Sequence, residues 1–214
     1  ISSESAILIE AKSGAILYEK NANETLYPAS LTKIATAIYA IEKGQLDDIV
    51  TVSANARSTA GTRVYLEQGE QVTLLKLIQG LLINSGNDAG VAIAEHLSGS
   101  VEQFSVDIND YLQNEIHLTN TQFMNATGLF HPDHVTTASD LAQLTQYAVR
   151  NDIFMSIFGM QELPWEGESW NTTIVSHHRI LNGEIPVAHI TGGKTGYVPQ
   201  SRYTLATTAK NEHL

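Results

Sequence analysis

The order of hydrophobic patterns along the chain is the feature that most limits its fold. Short apolar runs typical of strands stand near both ends, at residues 6–9, 15–18 and 203–209. Between them, apolar residues recur at spacings of three and four, as in amphipathic helices. Segregated strands and helices favour an α+β fold over repeated βαβ units. We therefore expect an antiparallel sheet whose first and last strands meet, flanked by helices, with a helix-rich part at about residues 45–150.

Local signals place the individual helices. Thr73 stands where a helix would begin, and Ser100 and Thr137 each precede a Gln or Asp by three residues, as in a capping box. Residues 45–72 are predicted to be loop with short strands, and residues 151–183 show no clear pattern. The predicted helices span about residues 31–41, 74–82, 91–97, 101–116 and 138–150.

Composition excludes several classes of protein. The chain has 214 residues, 43% of them apolar and 16% charged, which is typical of a folded domain rather than a disordered one. Its net charge of −11 would repel nucleic acid, so we expect no nucleic-acid partner. Cysteine is absent, which excludes disulfides, thiolate zinc sites and a cysteine nucleophile. The longest strongly apolar stretch, residues 34–41, is too short to cross a bilayer.

The segment Ser30-Leu31-Thr32-Lys33 opens the first predicted helix and combines a hydroxyl with an amine. Residues three apart lie on one face of a helix, so the Ser30 and Lys33 side chains can meet. A Ser hydroxyl becomes a good nucleophile when a base removes its proton, and a Lys amine is a base only when neutral. Burial and neighbouring positive charge both lower a Lys pKa towards neutral pH. A capping Ser beside a solvated Lys is the ordinary interpretation of this tetrapeptide alone, yet Ser-x-x-Lys occurs once in the chain.

Two further motifs carry polar side chains to positions that favour a binding site. Ser85-Gly86-Asn87 interrupts two apolar helices, where a short polar loop can project Ser85 and Asn87 into a cleft. Lys194-Thr195-Gly196 lies on a predicted strand, where an amine and a hydroxyl suit a carboxylate. Gly196 would let a substrate backbone approach this strand closely. Each motif alone is equally consistent with a turn rich in Ser, Gly or Asn.

Together the three motifs follow the pattern of β-lactamases and penicillin-binding proteins. Residues 27–33, Tyr-Pro-Ala-Ser-Leu-Thr-Lys, resemble the active-site segment of the D-alanyl-D-alanine carboxypeptidases, the low-molecular-mass penicillin-binding proteins. Residues 82–89 are similar to the second motif of that family. This likeness selects Ser85 over Ser53 and Ser169, which stand in the other two Ser-x-Asn sequences.

The resemblance covers essentially the whole chain, because residues 120–129 and 137–142 also resemble family segments. It implies a β-lactamase/transpeptidase-like fold and a single catalytic domain over residues 1–214. It also implies a further strand and a packing helix after the predicted strand at residues 203–209. We expect both to be missing, which would leave the domain truncated at its C-terminus. We also expect any contact with a membrane to be made only through a C-terminal anchor that is absent from this chain.

The resemblance further implies a serine-type reaction that removes the terminal D-alanine from peptidoglycan stem peptides. Ser30 would attack the carbonyl of the penultimate D-alanine and form an acyl-enzyme, while Lys33 takes the Ser30 proton. Ser85 would help to pass that proton to the leaving D-alanine, and Asn87 would orient the substrate and Lys33. Penicillins would imitate the substrate and leave a slowly hydrolysed adduct on Ser30.

The same resemblance assigns the remaining contacts. Lys194 and Thr195, with Gly196, would hold the terminal carboxylate, and the backbone N–H groups of Ser30 and Tyr197 would form the oxyanion hole. The pentapeptide of peptidoglycan and β-lactams are the implied partners, no metal or organic cofactor is expected, and the implied location is extracytoplasmic. Such a protein is secreted or anchored to the outer face of the bacterial cytoplasmic membrane.

Three other functions share part of this pattern. A class A-like β-lactamase needs a Glu-x-x-Leu-Asn loop, and residues 115–119, Glu-Ile-His-Leu-Thr, lack the final Asn. A penicillin-sensing or cell-wall-binding domain would bind without turnover, which the three intact motifs disfavour. A DD-transpeptidase shares every motif and stays open, because the choice between water and an amine as acceptor depends on the shape of the cleft.

Two histidine pairs suggest metal sites, but neither has the spacing of a helical zinc motif. His131 and His134 lie beside a proline, and His177 and His178 are adjacent. Zinc-binding helices place two histidines four residues apart on one face. We therefore interpret these histidines as structural or solvated.

Overall fold

Helices fill the middle of the chain and strands lie towards both ends in the computed structural model, which describes residues 1–211. The helices are α1 (Thr32–Lys43), α2 (Ala54–Ser58), α3 (Leu74–Ile83), α4 (Asn87–Ser98), α5 (Val101–Asn114), α6 (Ala138–Ala148) and α7 (Asp152–Phe158). The strands are β1 (Ala6–Ile9), β2 (Ile16–Lys20), β3 (Ile49–Thr51), β4 (Gln71–Thr73), β5 (Glu162–Glu166), β6 (Asn171–Val175), β7 (Ile190–Val198) and β8 (Arg202–Ala209).

The strands form four antiparallel pairs, β1–β2, β3–β4, β5–β6 and β7–β8. The expectation that the first and last strands meet is wrong for residues 1–211, because no hydrogen-bonded ladder joins β1 to β8 there. Both strands instead contact α6. Alternating apolar residues predict a strand and a short turn predicts its hairpin partner, but neither signal identifies a distant partner.

Helix α1 lies at the centre of the hydrophobic core. It contacts α3, α4, α5, α6 and α7. Ile34 and Ile38 are completely buried, and so is Lys33 in the first turn. Because helices cover α1 on several sides, a polar group on its first turn is removed from water along with the apolar residues. Burial at this position therefore raises the free energy of a charged side chain.

Three helix starts were predicted correctly because their capping residues carry a local signal. The side chains of Thr73, Ser100 and Thr137 each accept a hydrogen bond from the backbone N–H three residues later. Helix α2 was missed because five residues are too few to show a helical period. Residues 151–183, which show no clear hydrophobic pattern, contain α7 and the β5–β6 hairpin.

Gly80 interrupts an otherwise strong helical pattern, and its surroundings explain why. A Cβ at this position would lie 2.9 Å from Cη2 of Trp165, a residue of the β5–β6 hairpin that is buried in the core. Helix α3 therefore accepts the weaker helix propensity of glycine so that the indole ring can pack directly on its backbone. In residues 1–211, no helix is both long enough and apolar enough to span a membrane.

Candidate active site

Ser30 lies in a strained turn at the entrance to α1. A 3-10 turn, Ala29–Leu31, precedes the helix, and Ser30 is half-buried within it. Ala29 has a φ of +49°, an unfavourable conformation for a residue with a side chain. Gly128 packs against the Ala29 carbonyl so closely that a Cβ on Gly128 would overlap its oxygen. Strain of this kind persists only where the surrounding structure holds it in place.

Lys33 is completely buried and lies beside the Ser30 hydroxyl. Its Nζ atom is 2.9 Å from Ser30 Oγ, 2.7 Å from Asn87 Oδ1 and 2.7 Å from the carbonyl oxygen of Thr127. The orientation of the Asn87 amide is set by its Nδ2 group, which donates to the carbonyl oxygen of Ala60 at 2.7 Å. Asn87 Oδ1 and the Thr127 carbonyl can only accept, so both must receive N–H groups from Lys33.

This arrangement orients the amine towards Ser30. A neutral amine has two N–H groups and one lone pair, and Asn87 and Thr127 take both N–H groups. In that neutral form, the lone pair is what remains to face the Ser30 oxygen, 2.9 Å away, and such a geometry is compatible with a general base. Burial, followed by the positive charge of Lys194, lowers the pKa of Lys33 well below 10.5, which favours the neutral form.

Ser85 and Asn87 lie in the tight turn between α3 and α4. Ser85 adopts a left-handed conformation, with φ of +60°, and Gly86 caps α4, of which Asn87 is the first residue. The Asn87 backbone N–H donates to the carbonyl oxygen of Thr62 at 2.7 Å, which ties the turn to the preceding loop. The other two Ser-x-Asn sequences lie elsewhere: Ser53 caps α2, and the exposed Ser169 bonds to Tyr65.

Lys194 approaches the same pocket from β7. Its buried Nζ atom donates to Ser85 Oγ at 3.0 Å and to the carbonyl oxygen of Thr195 at 2.8 Å. Burial lowers the pKa of Lys194 to about 7. The structure thus places two amines, two hydroxyls and one carboxamide around one small space, as the three sequence motifs predicted.

Strand β7 passes directly beside the turn that carries Ser30. A Cβ on Gly196 would collide with Thr204 Oγ1 and would come within 2.7 Å of the Ser30 nitrogen. The Thr204 hydroxyl donates to the carbonyl oxygen of Pro28 at 3.0 Å and so joins β8 to the same turn. Tyr197 follows Gly196 and its side chain is exposed at this edge. Glycine at 196 therefore allows close contact between the strand and the turn that carries Ser30.

Two contributors to the site escaped sequence analysis. The carbonyl oxygen of Thr127 binds Lys33 through the backbone, and a backbone acceptor has no characteristic side chain. Asp88 is buried beside Asn87 and accepts hydrogen bonds from the backbone N–H groups of Val64 and Leu66. Its negative charge opposes the lowering of the Lys33 pKa. Only the resemblance of residues 120–129 to family segments had marked the region of Thr127.

One histidine of each pair, predicted to be structural or solvated, has protein partners on both ring nitrogens. His134 is buried and both of its ring nitrogens are hydrogen-bonded, to Thr32 and to the Met124 backbone. His178 Nε2 lies 2.7 Å from Thr207 Oγ1, and its Nδ1 accepts from the Leu181 N–H. Within residues 1–211, no three His, Asp or Glu side chains are grouped as a metal site would require.

Glu115, the residue that a β-lactamase interpretation would need in the site, lies elsewhere. It is the exposed C-cap residue of α5. Its charge acts on Tyr147 of α6. Within the described residues 1–211, its carboxylate makes no hydrogen bond with Ser30, Lys33 or Ser85, so the structure disfavours the class A-like alternative.

Comparison with known proteins agrees with this geometry. The chain is 36% identical to D-alanyl-D-alanine carboxypeptidase DacF of Bacillus subtilis over 99% of its own length and 55% of the relative. It superposes on penicillin binding protein 5 of Haemophilus influenzae with a TM-score of 0.88 and 30% identity, covering 100% of this chain and 62% of that one. It also shares its fold with the Streptomyces K15 DD-transpeptidase (TM-score 0.91, 24% identity, covering 99% of this chain and 87% of that one).

The match extends over the whole sequence. The chain spans about half the length of the curated relatives it matches, 55% and 56% for the first two. The α+β arrangement predicted from the sequence, with the β-lactamase/transpeptidase-like fold that the resemblance implied, is confirmed. The sequence model of one family, described as D-alanyl-D-alanine carboxypeptidase, matches residues 1–214. This chain therefore belongs to the D-alanyl-D-alanine carboxypeptidase family, peptidase S11.

Proposed function

We propose that this protein is a serine-type D-Ala-D-Ala carboxypeptidase that removes the terminal D-alanine from peptidoglycan stem peptides. The observation that carries the proposal is the orientation of Lys33, whose two N–H groups are taken by Asn87 and Thr127 while its remaining position faces Ser30 Oγ. Membership of the family supports the choice of substrate. A surface Lys three residues after a Ser would have neither the burial nor the two acceptors.

The first half of the reaction transfers an acyl group to Ser30. Lys33 removes the hydroxyl proton as Ser30 Oγ attacks the carbonyl of the penultimate D-alanine. Lys194 already donates to Ser85 Oγ at 3.0 Å, so the Ser85 hydroxyl proton is free to reach the leaving amine as the amide C–N bond breaks. Ser85 then regains the proton that Lys33 took from Ser30, which returns both residues to their starting states. The amine leaves as D-alanine, and Ser30 keeps the acyl group as an ester.

The contacts that hold the substrate lie on β7. A charged Lys194 and the Thr195 hydroxyl bind the terminal carboxylate, through one ion pair and one hydrogen bond. Gly196 lets the peptide lie against the strand. The N–H groups of Ser30 and Tyr197 stabilise the negative oxygen of the tetrahedral intermediate.

Water completes the cycle by hydrolysing the ester on Ser30, with Lys33 again positioned as the base. Penicillins enter the same cleft, because their carboxylate and amide match the groups just described, and they leave a long-lived adduct.

Since its substrate is cell-wall peptide, the protein acts outside the cytoplasm, either secreted or attached to the outer face of the cytoplasmic membrane. Residues 1–214 belong to a single catalytic domain for this reaction.

Two measurements on the unmodified protein test the proposal. The first is release of D-alanine from a diacylated peptide ending in D-Ala-D-Ala, and the second is intact mass after incubation with penicillin, followed by peptide mapping. We expect D-alanine release and one adduct, located on the peptide that contains Ser30. Rapid, repeated hydrolysis of penicillin would instead indicate a β-lactamase, and an adduct without any D-alanine release would indicate a penicillin-sensing domain.

The pH dependence of kcat/KM provides a further prediction. Lys33 must be neutral to act as base, so the rate rises as pH increases through its lowered pKa. Lys194 must be charged to bind the carboxylate, so kcat/KM of the free enzyme falls again as pH rises through about 7. We expect a bell-shaped profile whose alkaline limb begins near neutral pH.

A substrate that ends in a carboxamide is the matched control for this assignment. It offers no charge to Lys194, so its kcat/KM should be lower and the pH profile of its kcat/KM should lack the alkaline limb. An alkaline limb that is identical for the carboxylate and the carboxamide would contradict the role given to Lys194.

A further inference from the structure

A chain of hydrogen bonds runs from a buried histidine to the residue that precedes the nucleophile. The Met124 backbone N–H donates to His134 Nδ1 at 2.9 Å, so this ring nitrogen is the acceptor. The proton of the neutral ring is then on Nε2, which lies 2.8 Å from Thr32 Oγ1. The Thr32 hydroxyl in turn donates to the carbonyl oxygen of Ala29 at 2.9 Å. Each group in the chain has one defined direction of donation.

The histidine ring is held in one orientation and in one charge state. The Phe123 ring stacks on His134, with centroids 4.8 Å apart and planes 10° from parallel. Burial, assisted by the charges of His131 and Lys33, lowers the pKa of His134 to about 3. The ring therefore stays neutral at physiological pH and always has one N–H to donate.

The series of hydrogen bonds ends at the peptide unit between Ala29 and Ser30, which carries the Ser30 N–H proposed as an oxyanion donor. The carbonyl of Ala29 and the N–H of Ser30 belong to the same planar peptide unit and point in opposite directions. Holding the carbonyl against Thr32 and Gly128 turns the Ser30 N–H to the other side, where Gly196 of β7 lies against the Ser30 nitrogen. Ala29 has φ of +49°, so without a clamp this peptide unit would relax.

We propose that His134 is a positioning residue that acts through Thr32 to orient the Ser30 peptide N–H as an oxyanion donor. The inference rests on the proposed function, since only an acyl-transfer reaction needs that donor. It assigns His134 no contact with substrate and no proton transfer. Its effect falls on the transition state of both acylation and deacylation, because both pass through a tetrahedral intermediate.

The test compares Thr32→Val with Thr32→Ser and with Thr36→Val. Thr36 lies one turn later on α1, is equally buried, and donates to the carbonyl oxygen of Ala126 at 2.8 Å, so Thr36→Val removes the same kind of bond away from Ala29. We expect Thr32→Val to lower kcat for D-alanine release by about 10–100-fold with little change in KM. Thr32→Ser keeps the hydroxyl and should restore most of kcat, and Thr36→Val should change kcat little while losing comparable thermal stability.

Two variants of His134 test the same series of hydrogen bonds from its other end. His134→Gln can still extend an N–H towards Thr32, whereas His134→Asn can still accept from Met124 but is too short to reach Thr32. We expect the Gln variant to retain more kcat than the Asn variant, and this comparison decides the matter if Thr32→Val does not fold. Rates of penicillin adduct formation and release are measured for each variant.

The outcomes separate this inference from the proposed function. An unmodified protein that forms no adduct overturns the proposed function and this inference with it. A normal adduct in the unmodified protein, together with equal losses of kcat in Thr32→Val and Thr36→Val, overturns the inference alone. So does a loss confined to acylation with deacylation unchanged, because the oxyanion donor serves both steps.

Discussion

Lys33→Met is expected to lower the rate of Ser30 acylation by penicillin by about 10²–10⁴-fold, the usual range for loss of a general base. Methionine fills a similar volume without an amine, so Ser30 keeps its place in the turn but loses the group 2.9 Å from its oxygen. The measurement is the rate of adduct formation by intact mass. Ser30→Ala, which can form no ester at this position, sets the baseline.

Lys43→Met is the control for this substitution. Lys43 lies at the end of the same helix but is exposed, so its loss should change the acylation rate less than twofold. Lys33→Met also leaves Asn87 Oδ1 and the Thr127 carbonyl without a donor, so some loss of thermal stability is expected. A folded Lys33→Met protein that acylates within tenfold of the unmodified rate would show that another group is the base.

Gly128→Ala is expected to destabilise the protein by about 2–5 kcal/mol, the sum of left-handed strain and overpacking. Gly128 has φ of +84°, and a Cβ there would overlap the Ala29 carbonyl oxygen and lie 3.0 Å from the Ser30 nitrogen. The backbone on one side must move, which also shifts the Thr127 carbonyl away from Lys33. Acylation should therefore fall together with the melting temperature.

Gly99→Ala separates these two contributions. Gly99 caps α4 with φ of +81°, nearly the same as Gly128, but apart from its chain neighbours no atom lies within 4 Å of its hypothetical Cβ. Gly99→Ala should cost about 1–2 kcal/mol from backbone strain alone and leave acylation unchanged. Equal losses of stability in the two variants would mean that the close approach of Gly128 to Ala29 contributes nothing.

Much of the fold and part of the site were predictable because they depend on short stretches of chain. The capping positions at Thr73, Ser100 and Thr137 were predicted from residues three apart. Helix α2 and the β5–β6 hairpin were missed, because short elements show too few repeats for a period. The pairing of strands across the molecule was predicted wrongly, because alternation along one strand does not specify a distant partner.

The amino-acid sequence alone determined that Ser30 and Lys33 share one face at the start of a helix, because spacing of three is a local property. The sequence also identified Ser85, Asn87 and Lys194 as candidates to complete the site, because each lies in a recognisable motif. Only the tertiary structure decided which groups surround Lys33 and lower its pKa, since its acceptors are 54 and 94 residues away. An amine's pKa and the direction of its lone pair depend on burial and on the groups packed around it, and those come from distant segments that periodicity does not bring together.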